Sequence, residues 1–285
     1  MSALAISIVV VAAALHAYWN LLARSSGNFR LFGWLSGLVG TVFFMPLFLW
    51  VLATGSPFWN ATTIGAICFS VMLQCIGFNC ILLGYKLGDY SVMYPVTRGT
   101  GPLFATIAAI LFLSERPSLG ALSGIALIMS GVFAIGGGAT IVGKESFRPV
   151  AFGCLTGLVI AAVTVWSKHC LSDLGIPFVV LEYCGVVGVF LVLTPYALSH
   201  RKELAGEWQA NKRAIFGVAT LRSAAYMSIL YVLSTTPVYY VAPLREMSIL
   251  FAAVIGGTLL KEGQFARRLT AAIVMFAGLV CLSLN

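Results

Sequence analysis

Five charged residues interrupt long apolar runs in this chain: Arg98, Glu182, Arg222, Arg245 and Glu246. A charge at the centre of a membrane helix costs roughly 2.5–3.5 kcal/mol even on lenient scales. Such residues therefore pair with one another, line a wet cavity or hold a ligand. Three arginines and two glutamates leave a surplus of one positive charge. A guanidinium keeps its charge and forks onto two oxygens at once, so the chemistry on offer is recognition of a carboxylate or phosphonate. Arg222, in Leu221-Arg-Ser-Ala-Ala-Tyr226, sits nine residues into its apolar segment. At ~1.5 Å per residue this is near mid-membrane and too deep to snorkel. It is the first choice for an anion anchor, and a structural pair with Glu182 or Glu246 is the competing reading.

Arg98 and Arg245 lie seven or eight residues into their own segments. Pro95, Gly99, Gly101 and Pro102 surround Arg98, and Pro243 precedes Arg245. Helices broken by such residues free backbone groups to face a cavity, which suits a gate or binding site. The alternative is snorkelling to the nearer headgroups. Glu182 and Glu246, read as lying in the outer third, fit two roles: neutralising an arginine, or carrying a proton coupled to transport. His16 and Asn20 share one helix face at i and i+4, with Trp19 beside them. That face suits stacking on a substrate and hydrogen-bonding it; interhelical bonding and packing account for it equally well. Gln74 and Asn79 make a similar polar pair. Tyr94, Tyr226 and Tyr231 are candidates for the same lining, with packing as the default.

Other chemistries lack their residues. There is no HExxH, GxSxG or Asp-rich motif, and His16, His169 and His200 are far apart, so no enzyme activity is expected. Without a GxxxxGK[ST] loop, ATP is not the direct driver. None of the seven cysteines forms a CxxC pair, so neither a disulfide framework nor a metal site is readable, and no cofactor is expected.

The elements that must position these residues follow from composition. The chain is 60% hydrophobic and 9% charged, where a soluble domain carries about 25% charged residues. Lipid must be the solvent for much of the surface. Ten apolar segments are predicted at 3–23, 31–53, 62–84, 90–113, 118–137, 149–168, 176–198, 213–234, 238–260 and 266–284, most of them near the ~20 residues a bilayer requires. The predicted fold class is thus an all-α polytopic membrane protein with ten transmembrane helices. Loops after odd-numbered segments hold twelve of the 17 Lys and Arg residues and those after even-numbered segments two. The odd-numbered loops are therefore assigned to the cytoplasm, and both termini to the outside. The same placement explains the net charge of +8 without nucleic acid. The sequon Asn60-Ala-Thr62 lies too near the membrane to be given weight.

A shift of 147 residues superposes Trp19 on Trp166, Arg98 on Arg245, Glu115 on Glu262 and Gly131 on Gly278. This predicts a duplication: residues 1–138 form one five-helix repeat, 139–148 a cytoplasmic connecting loop, and 149–285 the second repeat. An odd number of helices per repeat inverts the second copy, and the two halves then exchange conformations to open a cavity to either side. Glu115 and Glu262 are expected to cap helices or anchor loops rather than bind substrate. The spacings Gly33/Gly37, Gly84/Gly88, Gly120/Gly124 and Gly153/Gly157 predict close helix packing.

Two such repeats, each ending in a helix, a short Glu-containing turn and a Gly-rich helix, resemble the drug/metabolite transporter superfamily and most closely its ten-helix EamA branch. The residues that carry the resemblance are Leu113-Ser-Glu115-Arg-Pro117 through Gly131, and Leu260-Lys-Glu262-Gly263 through Gly278. His16-Ala-Tyr-Trp-Asn20 is similar to a subset associated with phosphonate utilisation. Small multidrug exporters of the superfamily use a carboxylate in the first helix, which is absent here. The resemblance implies an inner-membrane secondary transporter working by alternating access, with export as the commoner direction. The intramembrane arginines add an anionic group to its small polar substrate: an amino acid, aminophosphonate or organic anion. Expected partners are that substrate, membrane lipid and protons as a coupling ion, with a monomer or weak homodimer. The alternatives are an intramembrane enzyme, a channel, or a carrier of cationic or hydrophobic compounds.

Overall fold

A computed structural model describes residues 2–24, 26–55, 59–86, 90–136, 147–252 and 265–284. Among these residues every regular element is a helix: α1 (Ala3–Ala23), α2 (Phe29–Thr54), α3 (Ala61–Lys86), α4 (Tyr90–Phe112), α5 (Leu119–Gly136), α6 (Phe147–Ser172), α7 (Phe178–Ser199), α8 (Arg201–Thr235), α9 (Val238–Arg245) and α10 (Phe265–Ser283). Six of them, α1, α2, α3, α6, α7 and α8, are long and apolar enough to cross a membrane, and shorter apolar helices lie within α4, α5 and α10. Large apolar side chains such as Leu111, Phe112 and Leu119 point outward, as in a protein solvated by lipid. The chain is a multi-pass membrane protein.

Polar side chains start several helices by accepting from otherwise unpaired N–H groups. Ser2 Oγ accepts from Ala5 N, and Asn28 Oδ1 from Arg30 N and Leu31 N. Asn60 and Thr63 form a reciprocal box at α3, with Thr63 N donating to Asn60 Oδ1 at 2.9 Å and Asn60 N to Thr63 Oγ1 at 3.0 Å. The side chain of the sequon asparagine is therefore committed to helix capping.

Two glycine seams bring helices close. At Gly153 of α6, an added Cβ would lie 2.9 Å from the Met93 carbonyl of α4, and at Gly157 it would strike Thr100. Thr97 Oγ1 crosses the same seam to donate to Gly153 O at 3.1 Å. In the α5–α10 seam, an added Cβ at Gly124 would lie 2.9 Å from Gly278 O. These glycines are spaced for backbone contact, as their spacing predicts.

The structure departs from the expected elements in three places. First, α8 begins at Arg201, so the stretch 201–213 is helical where a loop is expected. A search for apolar runs misses a helix that leaves the bilayer, although residues such as Lys202, Glu203, Leu204 and Ala205 favour helix. Second, α4 runs unbroken through Pro95 and Pro102. Thr100 and Thr106 hydroxyls donate to the carbonyls of Val96 and Pro102, and α6 packs along its length. Third, α6 continues four residues past the expected end at Lys168, to Ser172. The expected break does occur in the ninth segment: α9 stops at Arg245, Glu246 forms a turn, and helix resumes over 247–252. The expected loop 139–148 gives up Phe147 and Arg148 to α6. Its other residues, with Glu262, Gly88 and the side chain of Tyr94, lie outside the described residues, and Gly84 is described by its backbone alone.

Candidate functional site

Of the five intramembrane charges, brought from four helices and the turn after α9, four form two pairs inside the bundle. On one side, Arg98 of α4 lies between α1 and the α9 turn. Its Nη2 is 2.7 Å from His16 Nε2, and its Nη1 is 3.4 Å from Glu246 Oε2. A guanidinium only donates, so His16 accepts through Nε2 and carries its proton on Nδ1. Glu246 is 5% exposed. On the other side, Arg222 of α8 donates through Nη2 to Glu182 Oε1 of α7 at 3.1 Å. Glu182 is 0% exposed, whereas the Arg222 side chain is 37% exposed. Arg245 lies over the Tyr226 ring at 5.9 Å from its centroid. Among the described residues no carboxylate comes within ion-pair distance of Arg245.

The two sides belong to one electrostatic unit. Arg98, Arg222 and Arg245 all act on His16, and Tyr226 feels Arg245, Glu182 and Arg222. Ser167 of α6 and Ser223 of α8, which sequence alone does not single out, add hydroxyls beside Tyr226 and Glu182. No signal distinguishes them from the many other serines of the chain.

The remaining candidates are placed as follows. Trp19 meets His16 edge-on, with ring centroids 4.9 Å apart, and its indole N–H is buried with no hydrogen-bond partner among the described residues. Asn20 Nδ2 donates to His16 O and Asn79 Nδ2 to Cys75 O, each within its own helix. Gln74 packs against Gly185 of α7. Tyr231 is exposed and packs on Phe178. The structure thus joins His16, Trp19, Arg98, Glu182, Arg222, Tyr226, Arg245 and Glu246, and leaves Asn79 and Tyr231 apart from them.

One end of the bundle is tied by two further charges. Glu115, in the α4–α5 connection, accepts from Val238 N at 2.8 Å and Tyr239 N at 3.2 Å. A carboxylate there satisfies the first donors of α9 and faces its positive dipole end. Lys168 donates to Leu233 O at 2.9 Å and Thr236 O at 3.2 Å, capping the opposite, negative end of α8. The turn between α8 and α9 is held from both sides.

Residues 148–284 match the model of the EamA-like transporter family. This half of the chain belongs to the EamA-like transporter family. The matched EamA-like half supplies Glu182, Arg222, Tyr226, Arg245 and Glu246, while His16, Trp19 and Arg98 come from the other half. None of the curated proteins matches. Twenty-nine solved chains do. One of them, a crystal structure of a protein, covers 100% of this EamA-like chain and 99% of its own, with a TM-score of 0.76 at 14% identity. At that identity the likeness is one of fold, and it extends over both halves.

Proposed function

We propose that this EamA-like protein is a secondary transporter of a small polar metabolite bearing an anionic group: an amino acid, aminophosphonate or organic anion. The observation that carries the reading is the charge pattern of the cluster. Arg98 and Arg222 each have a glutamate, whereas no described carboxylate pairs with Arg245. A cation held inside a membrane protein is costly without a counter-charge, and an incoming anion supplies one. Tyr226 adds a ring face beside it, and the spare Trp19 indole N–H lies beside His16 of the same cluster. This moves the anchor from Arg222, first choice on sequence, to Arg245, with Arg222 as the second cation.

The transport cycle is alternating access between two inverted five-helix repeats in the cell's inner membrane, with both termini outside and export as the direction the family resemblance implies. The full-length likeness of fold and the placement of the cluster across both halves support it. The test is counterflow in liposomes with labelled amino acids, aminophosphonates, organic anions and amines, comparing wild type with Arg245→Gln. An anionic or zwitterionic compound is expected to exchange, and the variant to lose at least about tenfold of that exchange. Movement of cations alone, or an unaffected variant, overturns the reading.

A further inference from the structure

We propose that Glu182 sets how many negative charges the site accepts: ionised, it leaves room for a monoanion, and protonated, it releases Arg222 so that a doubly charged organic anion binds together with one proton. This rests on the anion-carrier reading above. The geometry around Glu182 is lopsided. Its side chain is fully buried, yet its donors are few: Oε1 accepts from Arg222, the Ser223 hydroxyl lies beside the carboxyl, and Oε2 has no hydrogen-bond partner among the described residues. A buried carboxylate normally needs several donors as well as a counter-charge, since one ion pair rarely offsets its desolvation. Arg222 is the reverse: with 37% of its side chain exposed, it keeps donors open for a second acceptor.

The charges facing Glu182 are few. From α8 come Arg222, Ser223 and Tyr226. From α3, among the described residues, come the Gln74 amide against Gly185 and two thiols, Cys68 beside Cys184 and Cys75 against Gly188. At this level α2 brings the Phe48 ring, stacked on Tyr183, and its one charged residue, Arg30, lies over the Tyr196 ring. Arg222 is therefore the counter-charge on which the ionised state of Glu182 depends.

The count of charges then fixes the stoichiometry. With both glutamates ionised the cluster carries +1, which one negative charge on Arg245 neutralises. A dianion also draws on Arg222. Two anions then share one guanidinium, and the carboxylate sealed away from water takes the proton on Oε2. The proton comes from the aqueous side to which the cavity is open, and it leaves when the dianion departs and Arg222 re-forms its bond to Oε1. In both modes the occupied cluster is neutral and one net negative charge moves per turnover.

The experiment uses the full-length protein in liposomes with an internal pH dye. Two probes are compared: succinate, a dianion above neutral pH, and succinamate, its singly charged monoamide. In wild type one proton is expected to accompany each succinate and none each succinamate. The apparent affinity for succinate should rise by up to about tenfold per unit of pH lowered, as one linked proton requires. Glu182→Gln, permanently neutral, should carry succinate without proton movement or pH dependence. Succinate carried by wild type without a proton, or proton flux retained in the variant, overturns this inference and leaves the anion carrier standing. If wild type carries neither probe, the anion-site reading falls and this one with it. The wild-type proton count decides the matter even if the variant does not fold.

Discussion

Arg98 and Arg245 stand at equivalent positions under the 147-residue shift, yet the two are held in opposite ways. Arg98 lies between His16 and Glu246, on a helix fastened to α6 through Gly153 and Gly157. Arg245 ends a short helix, touches the Tyr226 ring, and has no carboxylate partner among the described residues. The seams differ to match. The most extensive helix packing among the described residues is α4 on α6, whereas α9 meets α1 only slightly. The α1 counterparts of Gly153 and Gly157 are Ile6 and Val10, whose branched side chains prevent the same approach. One arginine is thus built into the frame, and its counterpart has no such fastening among the described residues.

Replacing each arginine separates the two roles. Arg98→Ala strands Glu246 in the interior and removes the donor to His16 Nε2. A cost of about 3–5 kcal/mol is expected, read as a lowered midpoint in a detergent melt. A melt indistinguishable from wild type would place Arg98 outside the frame. The α4–α6 seam gives the next largest change: Gly153→Ala pushes a methyl against Met93 O and should cost about 1–3 kcal/mol in the same melt. Glu115→Ala leaves two α9 N–H groups unpaired, and about 0.5–2 kcal/mol is expected. Arg245→Ala should be the mildest, below about 1 kcal/mol, because it removes a ring contact and a longer-range attraction to Glu246 but no ion pair within bonding distance. It should nevertheless abolish anion counterflow. If Arg245→Ala melts as low as Arg98→Ala, the two arginines are equally structural and the comparison collapses.

Much of this arrangement is legible in the sequence because charge inside an apolar run is so costly that its positions stand out. All five intramembrane charges reach one cluster, and Glu115 caps a helix as expected. Which arginine takes which glutamate is hidden, because pairing depends on how helices far apart in sequence are rotated against one another. That rotation makes Arg222 a partner of Glu182 and leaves Arg245 without one. Helix continuity is also hidden at its extremes. Prolines mark the break in α9 but not in α4, which packs closely against α6. Charged residues conceal the start of α8, since hydropathy reports the solvent around a helix rather than the helix itself.

At 35 residues, α8 is about 52 Å long, against a hydrocarbon core of about 30 Å. It therefore exceeds that thickness by roughly 20 Å as one continuous helix, which also carries Arg222. That rod is a ready-made graft point. A rigid domain fused in helical register near Arg201 would give a small, lipid-buried protein an external landmark for single-particle imaging. Because no hinge separates landmark from cluster, its tilt in each class of images would report the tilt of the helix that carries Arg222.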